Sequence, residues 1–414
     1  MLLAILSPGP VPAAELLSPQ LRPEVEERLD PAYRAAVGAL RMGRMEDAER
    51  LLREVIARRP LHELAEIGLA DVAWSRGRRA EAEAHLRRAV AAAPGELAPA
   101  HAMAVFLLRS GQIDEATAAF QALVARFPDA VTPKVELGVL LAARGNAEEG
   151  EAVLRAAMAR HPASLEARIA LVTTLLGRDR LDEARAQATA ATAIAGQDPR
   201  PFLALAQVER RRGDLGAAAE AYGRAGALAP RLAIAHHAQG ELLLEAGDTE
   251  HALLAFGRAI EADPMLAPPR LGRAMALQAK RQPAEAERAY AEVLDRHPDN
   301  VIALNNLAWL LADGRRDLER AEGWARRAIR LAPEAMEPRS TLGWVLRARG
   351  DLAGAARETE QAVRMAEGRA HLWLQLATIQ MERGQRAEAR RAAERALALE
   401  PQNVQARALV ARLG

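Results

Sequence analysis

Nine histidines are the residues of this 414-residue chain best suited to acid–base or metal chemistry: His62, His85, His101, His161, His236, His237, His251, His297 and His371. Catalysis needs such groups to converge, and these are scattered. His161 and His297 each precede a proline at the end of a helical stretch, where a basic side chain suits the helix C-terminus. His236 and His237 are the one adjacent pair. Neighbours on a helix diverge by about 100°, which is poor geometry for two metal ligands. His237 and Glu241 stand one helical turn apart on a shared face, but two ligands are fewer than a metal site takes. The chain has no His-Glu-x-x-His, no phosphate-cradling glycine loop and no Gly-x-Ser-x-Gly. It also has no cysteine, which removes disulfides, zinc thiolates and cysteine nucleophiles. The reading is therefore of a non-enzyme with no catalytic residue, metal or cofactor.

A second group of polar residues interrupts the apolar run NVIALNNLAWLLA, Asn300 to Ala312: Asn305, Asn306 and Trp309. Their meaning depends on the element that carries them. Composition narrows the options. Half of the residues are hydrophobic, much of that alanine, and aromatics are only 3%, so a stack of alanine-rich helices fits better than large shared cores. Lys and Arg total 56 against 55 for Asp and Glu, a net charge of +1. That balance argues against a dedicated nucleic-acid binder, which needs a basic face to replace phosphate counterions. Only Lys134 and Lys280 are lysines. No apolar run reaches the roughly 18 residues of a transmembrane helix.

The first residues, MLLAILSPGPVPAAE, read in two ways. They match the last half of a secretory signal, with small residues Val11-Pro12-Ala13-Ala14 at a cleavage-like site, or they are a loose proline-rich tail. Exported or periplasmic and cytoplasmic placements both stand.

The elements emerge from a period. Pro60, Pro94, Pro128 and Pro162 are spaced by 34 residues. Gly196 takes the next place, and Pro230, Pro264 and Pro298 resume the series. One extra residue shifts it to Pro333; Glu367 follows and Pro401 closes it, giving eleven repeats from Leu29 to Asn403. Twelve residues before each such site is a small residue, alanine at ten of eleven places (Ala48 to Ala389) and Gly150 at the other. A mid-repeat glycine recurs as Gly43, Gly77, Gly111, Gly145, Gly213, Gly247, Gly350 and Gly384. Glycine admits the positive φ that ends a helix, acidic residues open the next helix, and proline cannot continue it. Each repeat is then two antiparallel helices, pressed closest at the small residue.

This pattern resembles the tetratricopeptide repeat family. With each repeat numbered from its first residue, the resemblance rests on small residues at position 8 (Gly138, Gly240, Ala308, Gly343) and alanine at position 20. An aromatic or leucine stands at position 24 (Phe120, Tyr222, Phe256, Tyr290), alanine at 27 (Ala225, Ala259, Ala328) and proline at 32. It covers about nine tenths of the chain. It implies an all-α, right-handed α-solenoid of about eleven helix-turn-helix repeats, with first helices lining a concave groove. The organisation expected is a proline-rich segment over 1–28, repeats 1–5 over 29–198, repeats 6–11 over 199–403 and a capping helix over 404–414, with Asn403 as its N-cap. Repeat 5, with Asp179 and Gly196 in place of glycine and proline, is the expected soft joint.

Asn305 and Trp309 occupy positions 5 and 9, which share a face, and the resemblance places that face in the groove. Asn306 lies at its margin. Along the array, Met275, Trp309 and Trp344 form a methionine and tryptophan cluster, with His237 and Glu241 on the same face two repeats before Trp309. Such clusters anchor peptides or helices; the alternative is that the side chains are packed and the asparagines satisfy one another. The family's carboxylate-clamp mode needs lysine, arginine and asparagine in the groove. Here Arg34 and Arg200 stand isolated, and only Asn306 matches the asparagine ladder of the O-linked sugar transferase. The function implied is a scaffold gripping a protein or peptide, without nucleic acid. The alternative is a glycan- or nucleic-acid-handling protein, or accessory enzyme, using groove histidines. Oligomeric state stays open. The NNLAWLL-type stretch also resembles bacterial repeat proteins serving envelope or extracellular-polymer assembly.

Overall fold

A computed structural model describes residues 30–413. The expected N-terminal segment over 1–28 lies outside the described residues. Those residues form helices, turns and bends without a strand, and no helix is long and apolar enough to cross a membrane. They divide into two compact units, the first ending at Arg212 and the second starting at Gly213, within repeat 6.

The first unit contains α1 (Pro31–Arg41), α2 (Met45–Arg58), α3 (Glu63–Ser75), α4 (Arg79–Ala92), α5 (Leu97–Arg109), α6 (Ile113–Arg126), α7 (Val131–Ala143), α8 (Ala147–Arg160), α9 (Leu165–Gly177), α10 (Leu181–Ile194) and α11 (Pro199–Arg212). The second contains α12 (Leu215–Leu228), α13 (Ala233–Glu245), α14 (Thr249–Ala262), α15 (Ala267–Ala279), α16 (Pro283–Arg296), α17 (Val301–Asp313), α18 (Leu318–Leu331), α19 (Met336–Arg349), α20 (Leu352–Met365), α21 (Ala370–Glu382), α22 (Arg386–Leu399) and α23 (Val404–Leu413). Each unit holds five complete hairpins, in which an odd-numbered first helix packs on the even-numbered second helix that follows. Successive first helices also touch, as α9 with α11 and α17 with α19 do, whereas successive second helices do not pack to that extent. This is the α-solenoid arrangement that the repeats imply.

The period has two physical causes. The first is the turn. All eight recurring glycines have positive φ, and the three repeats without one keep that conformation, with Asp179 at φ 58°, Arg281 at 59° and Arg315 at 49°. Asp179 thus does the work of glycine, and repeat 5 keeps the backbone geometry of its neighbours. The extra residue of repeat 9 is absorbed in the turn before α18, where Asp317 also has positive φ and caps the helix.

The second cause is the helix crossing. The residues at position 20 are buried in every repeat. A Cβ added to Gly150 would approach the Gly138 carbonyl oxygen, at position 8 of the same repeat, to 2.4 Å. Position 24 supplies the core knob: Leu52, Leu86, Phe120, Leu154, Phe256 and Tyr290 have no exposed surface. Phe256 sits between Gly240 of its own repeat and Gly272 of the next, at positions 8 and 6, where added Cβ atoms would meet its ring at 2.7 and 2.4 Å.

The acids that open the second helices have a further role. A basic residue thirty positions later reaches back to them from the next repeat: Arg76 to Glu46 at 2.9 Å, Arg178 to Glu148 at 3.0 Å and Lys280 to Glu250 at 2.7 Å. Exposed pairs of this kind contribute under about 1 kcal/mol each. At the start of α23 the Ala406 amide donates to Asn403 Oδ1 at 3.0 Å.

Two predictions follow from the turn and the crossing. A side chain at a left-handed position costs about 1 kcal/mol, so Gly77→Ala lowers and Arg281→Gly raises stability by roughly that amount in urea unfolding; equal midpoints would contradict the turn argument. Gly150→Ala lowers stability by about 1–3 kcal/mol, since the added methyl meets backbone; a neutral result would mean that the crossing is loose.

Candidate functional site

The five complete first helices of the second unit each bury three sides and expose one. On α17 the exposed positions are Ile302, Trp309 and Asp313, with Asn305 and Asn306 half-buried between them. On α13 they are Ile234, Glu241 and Glu245, and on α15 Pro268, Met275 and Ala279. Spacings of three and four residues put each set on one face of its helix. On these three helices the exposed face is positions 2, 9 and 13, with position 5 half-buried; on α19 Trp344 and Ala348, and on α21 Thr378, are half-buried at the matching places.

Within this strip the sequence-predicted residues separate. Trp309 and Met275 remain 37% and 39% exposed. They stand at the same position of successive repeats. Trp344, one repeat further on, is half-buried against a cluster that includes Ala308, Leu311 and Leu342. The guanidinium of Arg347 covers its ring at 4.5 Å and is itself held by Glu382, at 2.9 Å. No ring contact joins Trp309 to Trp344, so the expected tryptophan cluster is one exposed ring and one packed ring.

The asparagines also separate. Asn306 Nδ2 donates to the Tyr290 hydroxyl at 3.0 Å, which donates to Gln278 Oε1 at 2.6 Å. Tyr290 is the position 24 knob of the preceding repeat, and position 6 is where such a knob lands. Phe256 is met there by glycine; a tyrosine is met by asparagine, which satisfies its hydroxyl. Burial pushes that phenol up to about 12, opposed by the Asn306 hydrogen bond. Asn306 thus ties α17 to the preceding repeat. Asn305 donates to Asn306 Oδ1 at 3.1 Å, while its own Oδ1 is buried without a partner.

His237 is half-buried beside the Phe256 ring, centroids 5.9 Å apart, with Nε2 3.4 Å from Glu241. Burial lowers its pKa below the ordinary value, with Glu241 opposing, so the ring is neutral at pH 7. His236 points away and lies 3.3 Å from the Pro230 carbonyl oxygen. Among the described residues no three histidine or carboxylate side chains converge as metal ligands would.

Two features were missed in the sequence. Ile234 and Ile302, 66% and 51% exposed, extend the apolar part of the strip. They occupy position 2, whereas the array was read only at positions 5 and 9. The other is Asp71 in the first unit, at position 9 of its repeat. It is 1% exposed, and neither carboxylate oxygen has a hydrogen-bond partner. Burial pushes its pKa well above the ordinary carboxylate value, with the charge of Arg109 opposing.

Two family models match the chain, both described as tetratricopeptide repeat. One covers residues 33–96, 203–265 and 271–335, the other 73–137, 141–208 and 346–413. No curated protein matches the sequence. Among solved structures, the chain is similar to the APC/C hetero-tetramer Cut9–Hcn1, with 11% identity over 94% of this chain and 98% of that chain and a TM-score of 0.48. It is similar to yeast Tom70, with 13% identity over 92% and 94% and a TM-score of 0.42. YrrB, described as a TPR protein with an unusual peptide-binding site, is 22% identical over 46% and 97%, with a TM-score of 0.37.

Asp71 generates a pH prediction. Below the unfolded value of 3.8 the carboxyl is protonated in both states, and its destabilisation is absent. Above that value the unfolded chain ionises first, so stability falls as pH rises towards and through the raised folded value. Asp71→Asn removes this decline, and urea unfolding between about pH 4 and pH 8 should give a flatter profile than wild type. Parallel profiles would show that Asp71 does not titrate in that way.

Proposed function

The chain belongs to the tetratricopeptide repeat family, and from that premise we propose that it is a non-catalytic scaffold. Its occupant is a peptide or helix of a protein partner, seated on the first-helix strip of the second unit within a multiprotein assembly. Repeats of this family typically serve as such scaffolds. The observation that carries the reading is the exposure of Trp309 and Met275, 37% and 39%, at the same position of adjacent repeats. A large apolar side chain left in water at a repeated position gains free energy when a partner covers it, about 25 cal/mol for each Å² removed from water. Ile302 and Ile234 lengthen the same surface. Asn305 lies half-buried beside it, its amide donating to Asn306 Oδ1. His237 with Glu241 supplies two ligands and a neutral ring, which suits a rim contact better than catalysis. The resemblance of the NNLAWLL stretch supports envelope or extracellular-polymer assembly in a bacterium as the setting.

The test separates binding from packing. Trp309→Ala with Met275→Ala should leave helicity and melting almost unchanged and weaken partner capture from the native host at least about tenfold. Trp344→Ala should instead lower stability, by about 2 kcal/mol, because its ring is packed. Retention of the same proteins by the folded double variant would place binding elsewhere.

A further inference from the structure

The charges on the strip identify its occupant more closely. Taken over the exposed and half-exposed positions of α13, α15, α17, α19 and α21, the strip carries five carboxylates: Glu241, Glu245, Asp313, Glu337 and Glu382. The same positions carry four guanidiniums, Arg273, Arg339, Arg347 and Arg349, each already paired with a carboxylate, Arg347 with Glu382 of the strip itself. The others, with Arg270, are used between layers. Arg270 and Arg273 pair with Glu292, Arg339 with Glu358 and Arg349 with Glu322, all acids of second helices. Glu245, Asp313 and Glu337 are exposed and have no cationic partner among the described residues. Glu241 lies beside His237, whose half-buried ring is held below the ordinary imidazole pKa by burial. A near-neutral chain therefore presents an acidic strip interleaved with Ile302, Met275 and Trp309.

Resting on the scaffold reading above, we propose that the segment held on this strip is cationic: a lysine- or arginine-bearing peptide that places apolar side chains on Trp309 and Met275 and its charges over Glu241, Glu245, Asp313 and Glu337. Such an occupant supplies the counter-charges that the strip lacks, and an acidic segment is repelled at each of them. Opposite charges across an interface act mainly on encounter rate and on rejection of wrong partners. Trp309 doubles as a platform for arginine, since an indole face attracts a guanidinium.

The test is selection of short random peptides against the immobilised full chain, followed by affinity measurement on purified variants. Enriched peptides should carry a net positive charge with aromatic or aliphatic residues. Their affinity should fall about tenfold in Glu241→Gln, Asp313→Asn, Glu337→Gln, again about tenfold in Trp309→Ala, and further as salt is raised. Neutral or acidic peptides that Trp309→Ala releases would overturn the cationic occupant and leave the scaffold reading standing. Peptides indifferent to both sets of changes would overturn both. No enrichment, or a dimer in light scattering that Trp309→Ala dissolves, would equally overturn the cationic occupant, the latter by making a second copy the occupant.

Discussion

The structure depends on how closely two helices approach at one point in each repeat. At position 20 the second helix presents a side chain no larger than a methyl to the backbone of the first, and in repeat 4 even the methyl is lost, with Gly150 against Gly138. Because alanine and glycine supply little apolar area, burial must come from a few larger side chains. The position 24 knobs provide it, each wedged between its own repeat and the next. This explains a chain with 3% aromatics that nevertheless buries Phe120, Phe256 and Tyr290 completely. It also ties each repeat to its neighbour, since a knob without the following repeat leaves half its surface uncovered.

The same constraint divides the first helices into sides with different duties. Positions 6 and 8 receive knobs, and substitutions there answer to packing. On α13, α15 and α17, positions 2, 9 and 13 are left exposed by the array. Asn306 and Trp309 sit three residues apart in sequence, yet one completes a tyrosine's hydrogen bonds and the other stands in water. Charge follows much the same division in the second unit: Arg270, Arg273, Arg339 and Arg349 pair with acids of second helices, Arg347 instead with Glu382 of α21, while most acids of the exposed strip have no such partner.

Most of the fold was legible in the sequence because the period carries it. Proline, glycine and alanine each mark a backbone event, and their spacing survives drift elsewhere. The turns of repeats 5, 8 and 9 were less legible, since Asp179, Arg281 and Arg315 take a glycine's conformation without a glycine's signature. The site was only half legible. Positions 5 and 9 were read as one face, but position 5 is half-buried, and which members of the strip are open depends on neighbours distant in sequence. Trp344 is covered by Arg347 and its surrounding cluster, while Trp309 has no such cover. Asn306 could be understood only by reading it against Tyr290 of the preceding repeat. Asp71 showed nothing in its type or spacing to mark a buried, unpartnered carboxylate.

Recognition on the first-helix strip is tested most directly by position-specific cross-linking in the native host. A photoreactive residue replaces Trp309 in one protein and Leu254 in another. Leu254 is an exposed apolar side chain of the second helix α14, 59% accessible, and so samples the opposite layer. The account predicts a discrete cross-linked partner from position 309 and none from position 254. The reverse pattern, or the same partner from both positions, would contradict it.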